Sequence, residues 1–420
     1  MLIAFKFNNF ASFHKETYID MRATVYKDHQ DHVIRDEKER VVRNLAVYGG
    51  NASGKSNLLR AIVVFRDFIL RQMMSQGLDV RGKQKKLEES SFCVPLSFYL
   101  DGENQNTEWE IEFQHRGYRI RYGYTVGPEK EGEPGVPKQE LVVKEEHLII
   151  NGKSIFIRDA SGITMGKTFQ KELGQLTFCA PTYLFLNLLI NIRSERLTPA
   201  LDALVDFVSN KIVYLSFKDE YDWDSWEMKQ QTEKFLQDDV AHDMLRDMIR
   251  AADVGIEDVI CEDHKQYLVV PIRDEFGKNT EYNQLPLELA SDGTRQLLRS
   301  FYLVYPSLEE GGVILIDYSK NAEHPLLQQW FVDYCHTMTG QAMQIIFTTN
   351  DLEKMDSQYF RRDEIALVDK NHAQESTYYT LADLKVPSGS NYRKDYLMGK
   401  YGALPILQEI NGEEKVDLLG

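Results

Sequence analysis

The spacing of hydrophobic residues changes along the chain and predicts where strands give way to helices. Apolar and polar residues alternate in segments 109–113 and 118–126, which is the period of half-buried strands. Between about residues 182 and 255 the apolar positions recur at helical spacing, and Thr198 followed by Pro199 is typical of a helix start. The helical region has no sustained heptads, so a long coiled coil is excluded. We therefore expect strands in the first part of the chain and mainly helices in the middle.

A short apolar run, residues 45–48, leads into the segment GGNASGKS at residues 49–56. This segment fits the phosphate-loop pattern G-x-x-x-x-G-K-[ST], and apolar residues recur at helical spacing directly after it. Glycines let backbone N–H groups face phosphate oxygens, and the helix that begins there adds the positive end of its dipole. Lys55 would reach the β- and γ-phosphates, and the Ser56 hydroxyl would ligate Mg²⁺. The predicted nucleotide-binding residues of this loop are Gly49, Gly50, Asn51, Ala52, Ser53, Gly54, Lys55, Ser56 and Asn57.

A second apolar run, residues 312–316, ends in Asp317, as in proteins where a buried strand delivers a carboxylate to a nucleotide-bound Mg²⁺. Ser56 and Asp317 are therefore the predicted metal ligands. The turn Ser-Asp-Gly-Thr at residues 291–294 lies shortly before this run and opens an amphipathic helix. Helix capping alone would explain such a turn. The turn becomes evidence for a nucleotide site only through its position in the sequence, between the phosphate loop and Asp317.

This order of parts resembles the ABC-type ATPase heads, including the SMC and RecF-like group. In that group two heads enclose two nucleotides, and a Ser-x-Gly turn of one head contacts the γ-phosphate held by the other. Ser291 and Gly293 match that signature, and Asp317 matches the Walker B aspartate. The resemblance implies ATP and Mg²⁺ as ligands, and a homodimer or higher oligomer held through the nucleotide-bound heads.

Three further motifs extend the resemblance over most of the chain. Residues 5–13 resemble the NF-x-SF first strand of these heads, and Thr-Thr-Asn-Asp at 348–351 stands where the group has T-T-H-D. The segment YLMGKYGALP at residues 396–405 is similar to the YLxGxYGAxP ending of the RloA-like ATP-binding proteins of prokaryotes. That set is associated with phage-defence or restriction systems, often beside a separate nuclease-like partner.

The resemblance implies an α/β fold: an ABC-type head with a mixed central sheet, an antiparallel β layer and a helical insertion. The head would be discontinuous, formed by residues 1–160 and 285–420, with a mainly helical insertion at 161–284. The catalytic positions that the resemblance implies are Lys55, Asp317 and Asn350, the last of which departs from the family's residue.

Three departures from the family fall on the site. Tyr318 replaces the glutamate that would activate the attacking water, and Asn350 replaces the switch histidine. Ala11 stands where many SMC-type heads have a basic residue near the nucleotide. Loss of a general base costs about 10²- to 10⁴-fold in rate, whereas the phosphate-binding residues are all present. We therefore expect a nucleotide-dependent regulator or scaffold with weak or absent ATP hydrolysis.

Two other interpretations stay open from the sequence. One is an active ATPase that acts with a nuclease partner or on DNA ends, with a substitute base from Asp351, Glu323 or a partner subunit. The other is an inactive head that pairs with an active one and contributes only its Ser-Asp-Gly-Thr turn.

The composition of the chain bears on two questions: whether it binds nucleic acid and in which cellular compartment it works. The net charge is −16, so broad nucleic-acid binding is unsupported, although the basic run at residues 81–86 could touch phosphates locally. The four cysteines are far apart and form no metal or disulfide pattern, which favours a reduced, cytoplasmic setting. No apolar run reaches the 18 or so residues of a membrane span, and no signal-peptide pattern opens the chain.

Overall fold

The computed structural model describes most of the chain and gives the elements that position the predicted site. The described residues are 1–36, 39–75, 106–129, 141–192, 194–215, 226–252, 255–274, 276, 278–318, 343–387 and 389–405. The strands are β1 (Leu2–Asn8), β2 (Thr17–Asp20), β3 (Val33–Arg35), β4 (Arg40–Val42), β5 (Asn44–Tyr48), β6 (Thr107–His115), β7 (Tyr118–Pro128), β8 (Leu141–Ile150), β9 (Lys153–Asp159), β10 (Gly162–Met165), β11 (Ile212–Leu215), β12 (Asp258–Glu262), β13 (Lys265–Arg273), β14 (Asn279–Pro286), β15 (Gly312–Asp317), β16 (Met343–Thr348), β17 (Ile365–Lys370) and β18 (Ser376–Thr380). The α-helices are α1 (Lys55–Ser75), α2 (Gln170–Leu173), α3 (Phe185–Ile192), α4 (Thr198–Asn210), α5 (Trp226–Gln237), α6 (Asp239–Ala252), α7 (Asp292–Glu310) and α8 (Tyr392–Leu397).

The central sheet brings the two halves of the predicted site together. Its strand order is β11-β15-β16-β5-β17-β18, and every neighbouring pair is parallel except β17 and β18. Strands β5, β15 and β16 are buried along their whole length, which explains their unbroken apolar runs. The carboxyl ends of parallel strands lie at one edge, so this edge receives the loop after β5 and the Asp317 at the end of β15.

The alternation of side chains along β15 assigns its residues to two different hydrophobic clusters. Val313 and Leu315 pack in the cluster that contains α1 and the antiparallel sheet, whereas Ile314 and Ile316 pack in the cluster beneath α6 and α7. Because successive side chains of a strand point to opposite faces, Asp317 follows the α1 side and Tyr318 the other side.

The second large sheet is entirely antiparallel, in the order β10-β9-β8-β7-β6-β1-β2. It contains the two strands predicted from alternation, and β1 corresponds to the predicted opening strand. The cluster between it and the central sheet includes Phe5, Phe7 and the buried face of α1. The buried Gln344 also joins the two sheets, since its amide accepts from Leu2 N at 2.6 Å and donates to Leu2 O at 3.0 Å. The predicted α/β class with a mixed central sheet and an antiparallel β layer is confirmed.

Residues 161–284 contain helices and also strands. Helix α4 contacts α1 and the strands β6 and β7, so part of this segment packs directly on the rest of the chain. Strand β11 lies within the region of helical spacing, yet it pairs with β15 in the central sheet. Four apolar residues are too few to show either period, which is why the sequence pattern missed β11. The division into a head and an insertion stays a prediction.

Two further sequence expectations concern helices. Helix α4 begins at Thr198 with Pro199 in its first turn, but the residue in the N-cap position is Leu197, which makes no side-chain cap. Among the described helices, none is both long and apolar enough to cross a membrane.

Candidate functional site

The loop between β5 and α1 folds around the buried side chain of Lys55. The Lys55 Nζ donates hydrogen bonds to the carbonyl oxygens of Gly49 at 2.7 Å and Gly50 at 2.9 Å. An ammonium group has three donors, so one remains for a phosphate oxygen. Burial lowers the pKa of Lys55 to about 8, while the nearby Asp317 carboxylate acts in the opposite direction. The Lys55 amine is thus oriented toward the place of a phosphate, and its charged form is destabilised by burial unless an anion binds.

Two glycines of the loop are required by close approach of the chain. At Gly54 the φ angle is +116°, and a Cβ would lie 2.5 Å from the Ser376 Oγ. A Cβ at Gly49 would lie 2.3 Å from the carbonyl oxygen of Val368. Ala52, by contrast, is exposed and adopts a left-handed φ of 63°, where a side chain costs free energy and glycine does not.

Asp317 and Ser56 form the predicted pair of metal ligands. Asp317 is fully buried, and its Oδ1 accepts hydrogen bonds from Ser56 Oγ at 3.2 Å and from Thr348 Oγ1 at 2.9 Å. A carboxylate beside a hydroxyl at the start of the loop helix is the oxygen donor set that suits a nucleotide-bound Mg²⁺. The structure therefore brings Lys55, Ser56 and Asp317 into one site. It adds Thr348, the first residue of the Thr-Thr-Asn-Asp motif, as the residue that orients the carboxylate.

Hydrogen bonds among hydroxyl and amide side chains connect the phosphate loop to the opening segment and to β18. The Asn57 amide donates to Ser12 Oγ at 3.1 Å, and Ser12 Oγ lies 2.8 Å from Ser376 Oγ. The Ser376 hydroxyl donates to the carbonyl of Ser53 at 2.5 Å. Ser12 belongs to the opening motif found in the sequence, whereas Ser376 on β18 carried no sequence signal.

Tyr318 lies in the hydrophobic core. Its side chain is only 7% exposed and belongs to the apolar cluster beneath α6 and α7, with its ring edge-on to Phe347 at a centroid distance of 6.3 Å. The position after Asp317 is therefore occupied by a packing residue. Asn350 is exposed just beyond β16, and the next residue, Asp351, donates its N–H to Thr349 Oγ1 at 3.0 Å.

The Ser-Asp-Gly-Thr turn is an exposed helix start. Ser291 is the N-cap of α7, and its Oγ accepts the N–H of Thr294 at 3.1 Å. Ser291, Asp292 and Gly293 are exposed, and a Cβ at Gly293 would meet only Ser291 Oγ, at 3.8 Å. No hydrogen bond of the described residues links Ser291 or Gly293 to the phosphate loop of the same chain.

Some predicted features fall outside the described residues. They are Glu323, one candidate for a substitute base, and the basic run at 81–86.

Comparison with known proteins gives one family match and several structural likenesses. Residues 45–167, less than a third of the chain, match the family model described as "AAA domain, putative AbiEii toxin, Type IV TA system". No curated protein matches the chain. The matched segment begins at the strand before the phosphate loop and extends into the antiparallel sheet. The predicted ATPase head of the ABC or SMC type is thus supported in the part of the chain that contains the predicted phosphate loop.

Three solved structures of SMC heads resemble the chain at low identity. One is an SMC head bound to the C-winged helix domain of ScpA, with 12% identity, a TM-score of 0.47, and 92% of this chain and 99% of that chain covered. The head domain from Thermotoga maritima has 13% identity, a TM-score of 0.39, and coverage of 90% and 98%. The head from Pyrococcus furiosus with an extended coiled coil, bound to the C-terminal domain of ScpA, has 12% identity, a TM-score of 0.41, and coverage of 95% and 98%. No activity or partner follows from likenesses at this level.

Opposite substitutions in the loop should have opposite effects on stability. Ala52→Gly should raise the free energy of unfolding by about 0.5–1 kcal/mol, because glycine adopts a left-handed φ without a Cβ penalty. Gly54→Ala should lower it by about 2–4 kcal/mol, because the new Cβ would overlap the hydroxyl of Ser376 in a strained backbone region. Urea unfolding with an unchanged m-value measures both. Equal stability of the two variants would contradict this geometry.

Proposed function

We propose that the protein is a nucleotide-dependent regulator or scaffold that binds Mg-ATP and dimerises through its phosphate-bound heads. The observation that carries this proposal is the site formed by Lys55, Ser56 and Asp317 at one edge of the central sheet. When bound, Mg²⁺ would be held by Ser56 and Asp317 and would offset the negative charge of the phosphates. Lys55 and the N–H groups of the loop would hold the phosphates. The choice of ATP over other nucleotides rests on the family resemblance.

Weak or absent hydrolysis is proposed because the chain lacks a carboxylate directly after Asp317. Tyr318 packs into the core, so the water-activating position is replaced by an apolar contact. Asn350 can donate and accept hydrogen bonds but is not a base near neutral pH. Bound ATP would then act as a ligand that holds two heads together and persists.

Dimerisation is proposed through the turn at Ser291 and Gly293. The N-terminus of the long helix α7 carries the positive end of a helix dipole, and the turn in front of it is exposed and free of bulky groups. These are the properties that a γ-phosphate presented by a second copy would require.

The second candidate, an active ATPase with a substitute base, is favoured by Asp351. This half-buried carboxylate follows β16 at the same sheet edge. Burial raises the pKa of Tyr48, the residue just before the loop, and the negative charge of Asp351 acts in the same direction. Asp351 thus supplies a carboxylate at the edge of the sheet where the loop begins. In this case Asp351→Asn would abolish turnover.

An effector role in a defence system remains part of the proposal. The description of the matched family, "AAA domain, putative AbiEii toxin, Type IV TA system", supports a toxin–antitoxin or defence setting. The idea that nucleotide state holds or releases a separate effector rests on the resemblance to the RloA-like proteins. The effector would be a nuclease-like or other protein, acting in the cytoplasm. The acidic net charge of −16 argues against nucleic acid as the main ligand.

The affinity for Mg-ATP should weaken as pH rises above about 8. Lys55 must be protonated to hold the phosphates, and its pKa in the free protein is about 8. Above that value binding requires uptake of a proton, so the dissociation constant should rise roughly tenfold per pH unit. Calorimetric titration between pH 7 and 9.5 measures this. Lys55→Ala should bind weakly with no such dependence, and a flat wild-type profile would contradict the role of Lys55.

Gly293→Ala should separate dimerisation from folding and from nucleotide binding. The extra methyl has room within one chain, so the affinity of the monomer for Mg-ATP should be unchanged. Thermal stability should be equal or slightly higher, because Gly293 lies in the first turn of α7, where alanine is favoured over glycine. It would obstruct a phosphate arriving from a second copy. Sedimentation velocity with Mg-ATP should show a dimer for the wild type and a monomer for Gly293→Ala and for Lys55→Ala. A dimer in Lys55→Ala, or an unaffected dimer in Gly293→Ala, would count against the proposal.

A further inference from the structure

The segment after α8 returns to the sheet edge and lies directly against the phosphate loop. We name residues 398–405 of this segment the clasp. The N–H of Gly50 donates to the carbonyl oxygen of Ala403 at 3.2 Å, and a Cβ at Gly50 would lie 3.1 Å from the Cα of Pro405. The contact is thus between two backbones, and any side chain at position 50 would push Pro405 away by a few tenths of an ångström.

Two tyrosine hydroxyls fix the shape of the clasp. Tyr396 on α8 donates its hydroxyl hydrogen to the Ala403 carbonyl at 2.8 Å, and Tyr379 on β18 donates to the Tyr401 carbonyl at 2.6 Å. The Tyr396 side chain is buried, so its hydroxyl is held by the surrounding packing. These bonds set the direction of the carbonyl that receives the loop N–H.

The backbone of the clasp is one that needs such support. Gly399, Gly402 and Ala403 have φ angles of 75°, 71° and 57°, which is the left-handed region. At Gly402 a Cβ would lie 2.9 Å from the Tyr379 hydroxyl and 3.2 Å from Asp369 Oδ2. The two glycines adopt this region without strain, so the backbone strain falls on Ala403, the residue whose carbonyl oxygen receives the Gly50 N–H.

A continuous path of hydrogen bonds leads from the clasp to the phosphate-binding amine. The Tyr396 hydroxyl and the Gly50 N–H meet on the Ala403 carbonyl, and the Gly50 carbonyl in turn accepts from Lys55 Nζ at 2.9 Å. Gly50 is the residue that connects the clasp to the lysine along this path. Whatever orients its peptide groups also orients Lys55.

From this geometry we propose that the clasp is a positioning element of the nucleotide site, held in place principally by the hydroxyl of Tyr396 on α8. Docking of the clasp sets the orientation of Gly50 and through it that of Lys55, so nucleotide affinity depends on this backbone contact. The inference rests on the proposed nucleotide binding and adds to it the residues that tune the loop.

Tyr396→Phe tests the inference, with Tyr401→Phe as its matched control. Both variants lose one tyrosine hydroxyl from the same region, but the Tyr401 hydroxyl bonds the Asp395 carboxylate at 3.2 Å and not a carbonyl of the path. In calorimetric titration with Mg-ATP, Tyr396→Phe should raise the dissociation constant about three- to tenfold, the usual effect of one buried hydrogen bond. Tyr401→Phe should stay within about twofold of the wild type.

The pH profile distinguishes positioning from a general loss of structure. In Tyr396→Phe the Gly50 carbonyl is less well oriented, so its hydrogen bond from the Lys55 ammonium weakens. The pH above which the affinity for Mg-ATP falls should therefore be lower in Tyr396→Phe than in the wild type. In Tyr401→Phe this pH should be unchanged. A merely structural role would lower the affinity and the thermal stability together and leave this midpoint in place.

A second variant keeps the test decisive if Tyr396→Phe folds poorly. Gly50→Ala pushes a methyl group against Pro405 and should displace the clasp from the loop side. The double variant should lose less affinity than the product of the two single losses, because both act on one contact. Independent losses, or a Tyr396→Phe affinity equal to that of Tyr401→Phe, would overturn the inference and leave the proposed function standing. Wild-type protein that binds no nucleotide would overturn both.

Discussion

The hydrogen bond from Ser56 to Asp317 joins two parts of the chain that are 261 positions apart in sequence. It exists because β5 and β15 end at the same edge of a parallel sheet, separated by β16 alone. Everything proposed for the site depends on that register: the carboxylate is buried, Thr348 orients it, and Lys55 is held by loop carbonyls a few residues away. The burial of Lys55 lowers its pKa, so keeping the amine charged carries a free-energy cost that a bound phosphate would relieve.

The alternation of side chains along β15 explains both the presence of Asp317 at the site and the absence of a catalytic glutamate after it. Asp317 faces the loop helix, and the next side chain must face the other cluster, where Tyr318 packs against Phe347. A glutamate there would place a carboxylate among apolar neighbours unless the local structure changed. The alternation of side chains that directs Asp317 to the predicted metal site therefore also directs residue 318 into the core, where a carboxylate base does not fit. Restoring a base by a single substitution would be expected to cost stability.

Sequence reasoning reached the parts of the structure that are encoded locally. Alternation predicted β6 and β7, and the glycine-rich segment with its flanking apolar runs predicted the loop from Gly49 to Ser56. It missed β11, whose four apolar residues show no period, and Ser376, an ordinary hydroxyl residue whose role comes only from the proximity of Ser12 and Ser53. The role of residues 396–405 was equally hidden, because the contact between Ala403 and Gly50 is made by backbone atoms. Motif resemblance marked that segment as notable, but only the folded chain shows what it touches.

The most direct test of the central claim is the chemical identity of the nucleotide that the protein retains. Purified protein would be mixed with Mg-ATP in equal amount, freed of unbound nucleotide, and sampled over hours with the bound nucleotide separated and quantified. We predict that the wild type retains intact ATP and that Lys55→Ala retains almost none. Rapid conversion of the bound ATP to ADP in the wild type, abolished in Asp351→Asn, would show a working ATPase with a substitute base and would contradict the proposed role of ATP as a persistent ligand.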